Sequence, residues 1–127
     1  MAPTVAAHRQ ERRLELRVRL TIPDPAPEDA GSRVRAAVVD TSRADALHPT
    51  VAEATTVLER ASPQVELVLD VPDAALTAGH RYSLQAHVDH QGSGDIKPGD
   101  LIITQDVPVP VSVGAGRHDV EATLTRV

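Results

Sequence analysis

Two residues near the middle of the chain have the types and spacing for metal chemistry. His87 and Asp89 stand two apart in the run Y-S-L-Q-A-H-V-D, residues 82 to 89, and strand geometry would set them on one face about 7 Å apart. An imidazole and a carboxylate so placed can share an ion. His90 and Asp95 follow, and folding could add His80 or His118. A zinc site takes three or four converging ligands, whereas two are visible here, and His90 points away if the strand simply continues. Ser83, Gln85, His87 and Asp89 read equally well as the solvated side of a half-buried strand. His87, Asp89 and His90 are the candidate metal ligands, and no cofactor is otherwise expected.

Four arginines form a second group. Arg17, Arg19, Arg33 and Arg35 alternate with apolar residues in two separate runs. If both runs belong to one sheet, they make a basic stripe able to receive an acidic partner, since the chain beyond residue 35 is acidic. The plainer reading is a wet sheet face whose charges are offset by Glu15 and other acids.

The segment H-Q-G-S-G-D-I-K-P-G, residues 90 to 99, exceeds the usual two to five residues of a hairpin loop. Long loops on rigid scaffolds often bind ligands, though they also tolerate neutral insertions. Gly92-Ser93-Gly94 lacks the strand-then-helix setting and the Lys-Ser/Thr ending of a phosphate loop. Pro98-Gly99 suits a type II turn. No hydrolase elbow, paired-carboxylate spacing or cysteine nucleophile appears, so the chain reads as non-enzymatic.

The elements that must position these groups are strands. Leu14, Leu16, Val18, Leu20 and Ile22 alternate with Glu15, Arg17, Arg19 and Thr21 in the clearest strand pattern of the chain. Three prolines in P-D-P-A-P-E-D-A-G, residues 23 to 31, end it. Further strands are expected at Ser32 to Asp40, Val51 to Leu58, Gln64 to Val71, from Tyr82, Asp100 to Val107, and through Val120, Ala122 and Leu124 after a turn at Gly114 to Gly116. Ahead of the fifth, Leu76, Gly79 and Tyr82 have the spacing of a tyrosine corner, in which the tyrosine hydroxyl bonds upstream backbone. The alternative is a helical turn over Asp73 to Ala78 closed by Gly79. About seven short strands with regular turns predict an all-β, immunoglobulin/fibronectin-like sandwich over residues 10–127, after a disordered lead over 1–9.

Composition narrows the function. The 127 residues carry 18 acidic against 13 basic residues, with no Cys, Phe or Trp and one Tyr. Disulfides and thiolate sites are therefore absent, and so is the lysine- and arginine-rich, aromatic-bearing surface that nucleic acids require. Residues 1 to 7 are too short and weakly apolar for a signal peptide, and no run suits a membrane span. On the sequence as given a cytoplasmic location is expected, or the envelope or periplasm if a signal segment has been removed.

The order of landmarks resembles a known family. V-R-A-A-V-V-D-T-S-R-A-D-A (34 to 46), V-A-E-A-T-T (51 to 56), L-V-L-D-V-P-D (67 to 73), A-G-H-R-Y-S-L-Q-A-H-V-D (78 to 89) and I-T-Q-D (103 to 106) look like the YbaY family, related to the YscW-type lipoprotein chaperones, or pilotins, of type III secretion. The resemblance implies a sandwich fold and, in pilotins, help for an outer-membrane secretin in reaching its place. Members carry a lipid-bearing cysteine, and this sequence has none. The expected function is binding of a protein or peptide, through an exposed edge strand or through the arginines above. The alternatives are a metal site at His87 and Asp89, or a purely structural accessory domain.

Overall fold

Strand β1 (Arg13–Thr21) is the hub of one of two sheets. A computed structural model describes residues 13–42, 48–110 and 116–127, so the lead expected over 1–9 and most of the turn expected at Gly114 to Gly116 lie outside the described residues. The alternation in β1 does what period-2 patterning requires. Leu14, Leu16, Val18 and Leu20 are buried, as is Ile22 just beyond, while the intervening side chains face outward. β4 (Gln64–Pro72) runs antiparallel to it, setting Leu16 opposite Leu69 and Val18 opposite Leu67. β7 (Gly116–Thr123) pairs on its other side in parallel, with Val18 opposite Val120.

The second sheet has the order β3-β2-β5-β6-β8. β2 (Ser32–Asp40) is its counterpart of β1, flanked by β3 (Thr50–Leu58) and β5 (Tyr82–Asp89), both antiparallel. Val34, Ala36 and Val38 meet Val88, Ala86 and Leu84, and these inner faces join those of the first sheet in one core. With no Phe or Trp available, that core is built of Leu, Val, Ile and Ala with Tyr82 alone among aromatics. The all-β sandwich expected from the sequence is the fold.

Two expectations change in detail. The sixth strand pairs as a ladder only at β6 (Leu101–Ile102). Beyond it the chain still follows β5, through Ile103 N–H to Ala86 C=O, Leu84 N–H to Val107 C=O and Val109 N–H to Tyr82 C=O. Thr104 to Asp106 bulge out between these bonds, and Pro108 has no N–H to restore the ladder. The last strand also divides. After β7 the chain crosses at Leu124 to the other sheet, where β8 (Thr125–Arg126) pairs with β6.

The tyrosine corner is present. The Thr77 N–H donates to the Tyr82 hydroxyl at 2.7 Å, and Gly79 takes φ +83, open to glycine without strain. The helical alternative survives as a single 3-10 turn at Asp73–Ala75, short of Gly79.

Candidate functional site

The sheet assignment bears directly on the arginines. Arg17 and Arg19 belong to one sheet and Arg33 and Arg35 to the other, so the single stripe, which required both runs in one sheet, is not formed. Face-to-face packing turns the two pairs to opposite sides of the molecule. Most of their charge is also matched. Arg17 lies 3.5 Å from Glu15, Arg19 3.4 Å from Glu66, and Arg35 2.6 Å from Glu53. Such exposed pairs contribute about 0–1 kcal/mol each.

The histidine cluster is rearranged more deeply. His87 and Asp89 do share a face of β5, and Asp100 joins them, with one ligand atom from each lying within 4.8 Å of the others. His90 does not join. Its Nε2 lies 2.7 Å from the fully buried Asp29, and only its Nδ1, 3.7 Å from Asp100, borders the cluster. His80 pairs with Asp40 at the far end of β5, and His118 sits in the other sheet. Nor is the face solvated throughout: Asp89 is buried and His87 nearly so, because the 90–99 loop folds back beside them, and Ser83 is buried beside Asp106 and Pro108.

Three carboxylates fold that loop. Asp89, at its entrance, accepts the N–H groups of Gln91 and Gly92 on Oδ1 and of Gly94 on Oδ2. The glycine amides that resemble an anion nest are thus filled by the protein's own carboxylate. Asp100, at the exit, accepts the His90 N–H on Oδ1, and the Lys97 N–H and the His87 Nε2 at 2.7 Å on Oδ2. Between them the Asp100 N–H closes a turn to Lys97 C=O with Gly99 at φ +95, the type II turn read from Pro98-Gly99. Asp29, from the proline-rich break after β1, takes the Arg126 guanidinium on both oxygens at 2.9 and 3.0 Å, together with the Ala26 N–H and His90.

These bonds set the charge states. The Arg126 guanidinium holds Asp29 well below the usual carboxylate range, against the opposing effect of burial, and Ala26 and His90 add to it. Burial pushes Asp89 up, but the Gly94 and Gly92 amides and the charge of His87 outweigh it, leaving the group lowered. Asp100 is lowered likewise, burial being overcome chiefly by His87 and the His90 and Lys97 amides. Anionic Asp89 and Asp100 beside an imidazole are the donor set a divalent cation prefers. Yet each carboxylate has about four acceptor positions; Asp89 spends three on loop amides, and Asp100 spends two on loop amides and a third on the His87 Nε2. A cation would have to displace the contacts that shape the loop, so the arrangement fits a clamp better than a metal centre.

Asp29, Asp100 and Arg126 were not among the residues singled out by sequence reasoning. Asp29 and Arg126 are 97 positions apart, and no local pattern links them. The only hint was the placement of each acid in a turn, which many solvent-facing acids share.

The other notable region lies at the side of the sandwich. β3 and β4, the edges of opposite sheets, approach each other and close one side. On the other side β7 is an edge strand among the described residues. Leu124 gives its N–H to Thr21 C=O, so by the alternation of a parallel strand Glu121 and Thr123 direct their N–H and C=O groups to the free side. Beside them lies a groove of about 400 Å³, bounded by Thr21 and Glu121 to Thr123 on one flank and by Ile103 and Gln105 to Pro108 on the other. The sheet crossing at Leu124 and the bulge at Thr104 to Asp106 hold these flanks apart.

Comparison with known proteins gives two findings. The family model of the type III secretion system lipoprotein chaperone (YscW) matches residues 12–121. Among solved structures, an alternative pilotin from the type II secretion system of Vibrio cholerae superposes with a TM-score of 0.65 at 17% identity, over 91% of this chain and 99% of that one. That likeness is one of fold. No curated protein matches the sequence.

Proposed function

This chain belongs to the YscW family of type III secretion system lipoprotein chaperones, and we propose that it is a non-enzymatic chaperone-like module that holds an extended segment of an envelope protein. The family match and the pilotin-like fold support a binding role. The β7 edge carries the mode: Glu121 and Thr123 offer backbone donors and acceptors that are unpaired among the described residues and lie beside a groove, the requirement for adding a partner strand. A surface almost free of aromatic side chains suits backbone-driven capture better than an aromatic anchor. The paired arginines Arg17, Arg19 and Arg35 serve as surface charge in this reading, and the His87, Asp89 and Asp100 cluster as support for the loop. The partner belongs to the secretion machinery of the envelope, and the sandwich over residues 10–127 is the binding unit.

Thr123→Pro tests the mode, because it removes an N–H directed away from β1 and leaves the ladder to β1 intact. Cross-linked capture from a fractionated extract of the source organism is expected to yield a stoichiometric envelope protein with the parent chain. The variant is expected to lose it while its thermal midpoint stays within about 3 °C. Capture undiminished by Thr123→Pro would rule out the edge.

A further inference from the structure

We infer that the groove beside β7 selects a basic extended segment, in which lysine or arginine alternates with small apolar residues; this rests on the strand-addition reading above. Among the described residues the lining carries two charged side chains, both acidic: Asp106 on one flank and Glu121 on the other. No lysine, arginine or histidine lines it among the described residues. Asp106 is held in place by the Ser83 hydroxyl at 2.8 Å. The Glu121 side chain is 71% exposed, and the one cation paired with it among the described residues, Arg19, stands 3.9 Å away on the sheet face. Both acids therefore keep acceptor capacity for a cation arriving in the groove.

The geometry sets the pattern of the segment. A strand added at Glu121 and Thr123 turns alternate side chains to opposite faces. On the inner side these meet the apolar parts of Ile103, Val107, Pro108 and Ala122, where a valine or alanine fits. On the outer side they pass Glu121, where like charge is repelled and opposite charge favoured. A second copy of this chain is a poorer occupant, because antiparallel pairing of two β7 edges near Glu121 brings that residue toward its own counterpart.

The test uses the full chain and two end-blocked octapeptides, one alternating Val and Lys and the other Val and Glu. Binding is read by fluorescence anisotropy at low salt, with circular dichroism to confirm the fold of each variant. The lysine peptide is expected to bind at least tenfold more tightly than the glutamate peptide. Glu121→Gln with Asp106→Asn, the asparagine keeping an acceptor for Ser83, is expected to erase that difference, and Thr123→Pro to abolish binding of both. Equal affinity for the two peptides, still lost in Thr123→Pro, would overturn the charge selection and leave strand addition standing. Binding of neither peptide would overturn both. Lysine-peptide binding that survives Thr123→Pro would mean the acidic surface, not the groove, is the receptor. Concentration-dependent dimers dispersed by Thr123→Pro would give the edge to a second copy instead.

Discussion

The two ends of the 90–109 segment treat their polar groups in opposite ways. From His90 to Asp100, amides are matched to Asp89 and Asp100, and His90 to Asp29, with Arg126 behind it. From Thr104 to Asp106 the backbone bulges away from β5, and the stretch through Pro108 faces a groove across which the β7 edge is unpaired among the described residues. Charged residues attract attention in a sequence, yet here the charged cluster has spent its bonding capacity on the fold. The region with capacity to spare is made of backbone. A buried polar group must find partners within the protein, whereas an edge at the surface can wait for one.

Breaking the matched end should cost the most. Asp29→Ala leaves Arg126 and His90 without their shared acceptor and is expected to destabilise by about 3 kcal/mol, at the low end for a buried pair because the Arg126 side chain is 31% exposed. Chemical denaturation measures it, and a loss below about 1 kcal/mol would show that the clamp is dispensable. Peptide binding at the β7 edge should survive, provided the variant is assayed below its midpoint.

Acid offers a second way to open the same end. Asp29, Asp89 and Asp100 all have lowered folded pKa values, and the half-buried Asp40, bonded by His80 and the Ser42 amide, falls to about 2. Groups depressed in the folded state bind protons more readily when unfolded. Their contribution is thus complete above the unfolded aspartate value of about 3.9 and fades as pH falls through the folded values. Stability is expected to be flat in this respect from about pH 5 upward and to drop below about pH 4. Asp29→Asn should flatten the acid limb of the curve, and an unchanged slope would remove Asp29 from the account.

Tyr82→Phe, at the far end of β5 from the loop, is expected to cost about 1 kcal/mol, since the Thr77 N–H loses its acceptor but stands near water. A smaller effect is expected from Arg19→Ala, below about 0.5 kcal/mol, its two ion pairs being exposed. Smallest of all, a chelator should leave the midpoint and the hydrogen exchange of Gly92 and Gly94 unchanged. Slower exchange on adding zinc, lost in His87→Ala, would restore the metal reading and undo the contrast.

Amino-acid order alone determined the strands whose environment is two-sided. In β1, β2, β4 and β5 apolar residues recur every second position, and a period of two admits one register toward a core; the sheet of origin does not matter. Tyr82 and Gly79 were legible for a similar reason, because their interaction spans five residues from Thr77. Pairing partners were not legible. That β1 and β2 fall in different sheets split the arginines, and that β7 leaves for β8 at Leu124 opened the groove; both depend on which strands meet, to which local patterning is blind. The clamp is the extreme case: Asp29 and Arg126 meet across 97 residues, and only closure of the whole sandwich buries the Asp29 carboxylate against the Arg126 guanidinium.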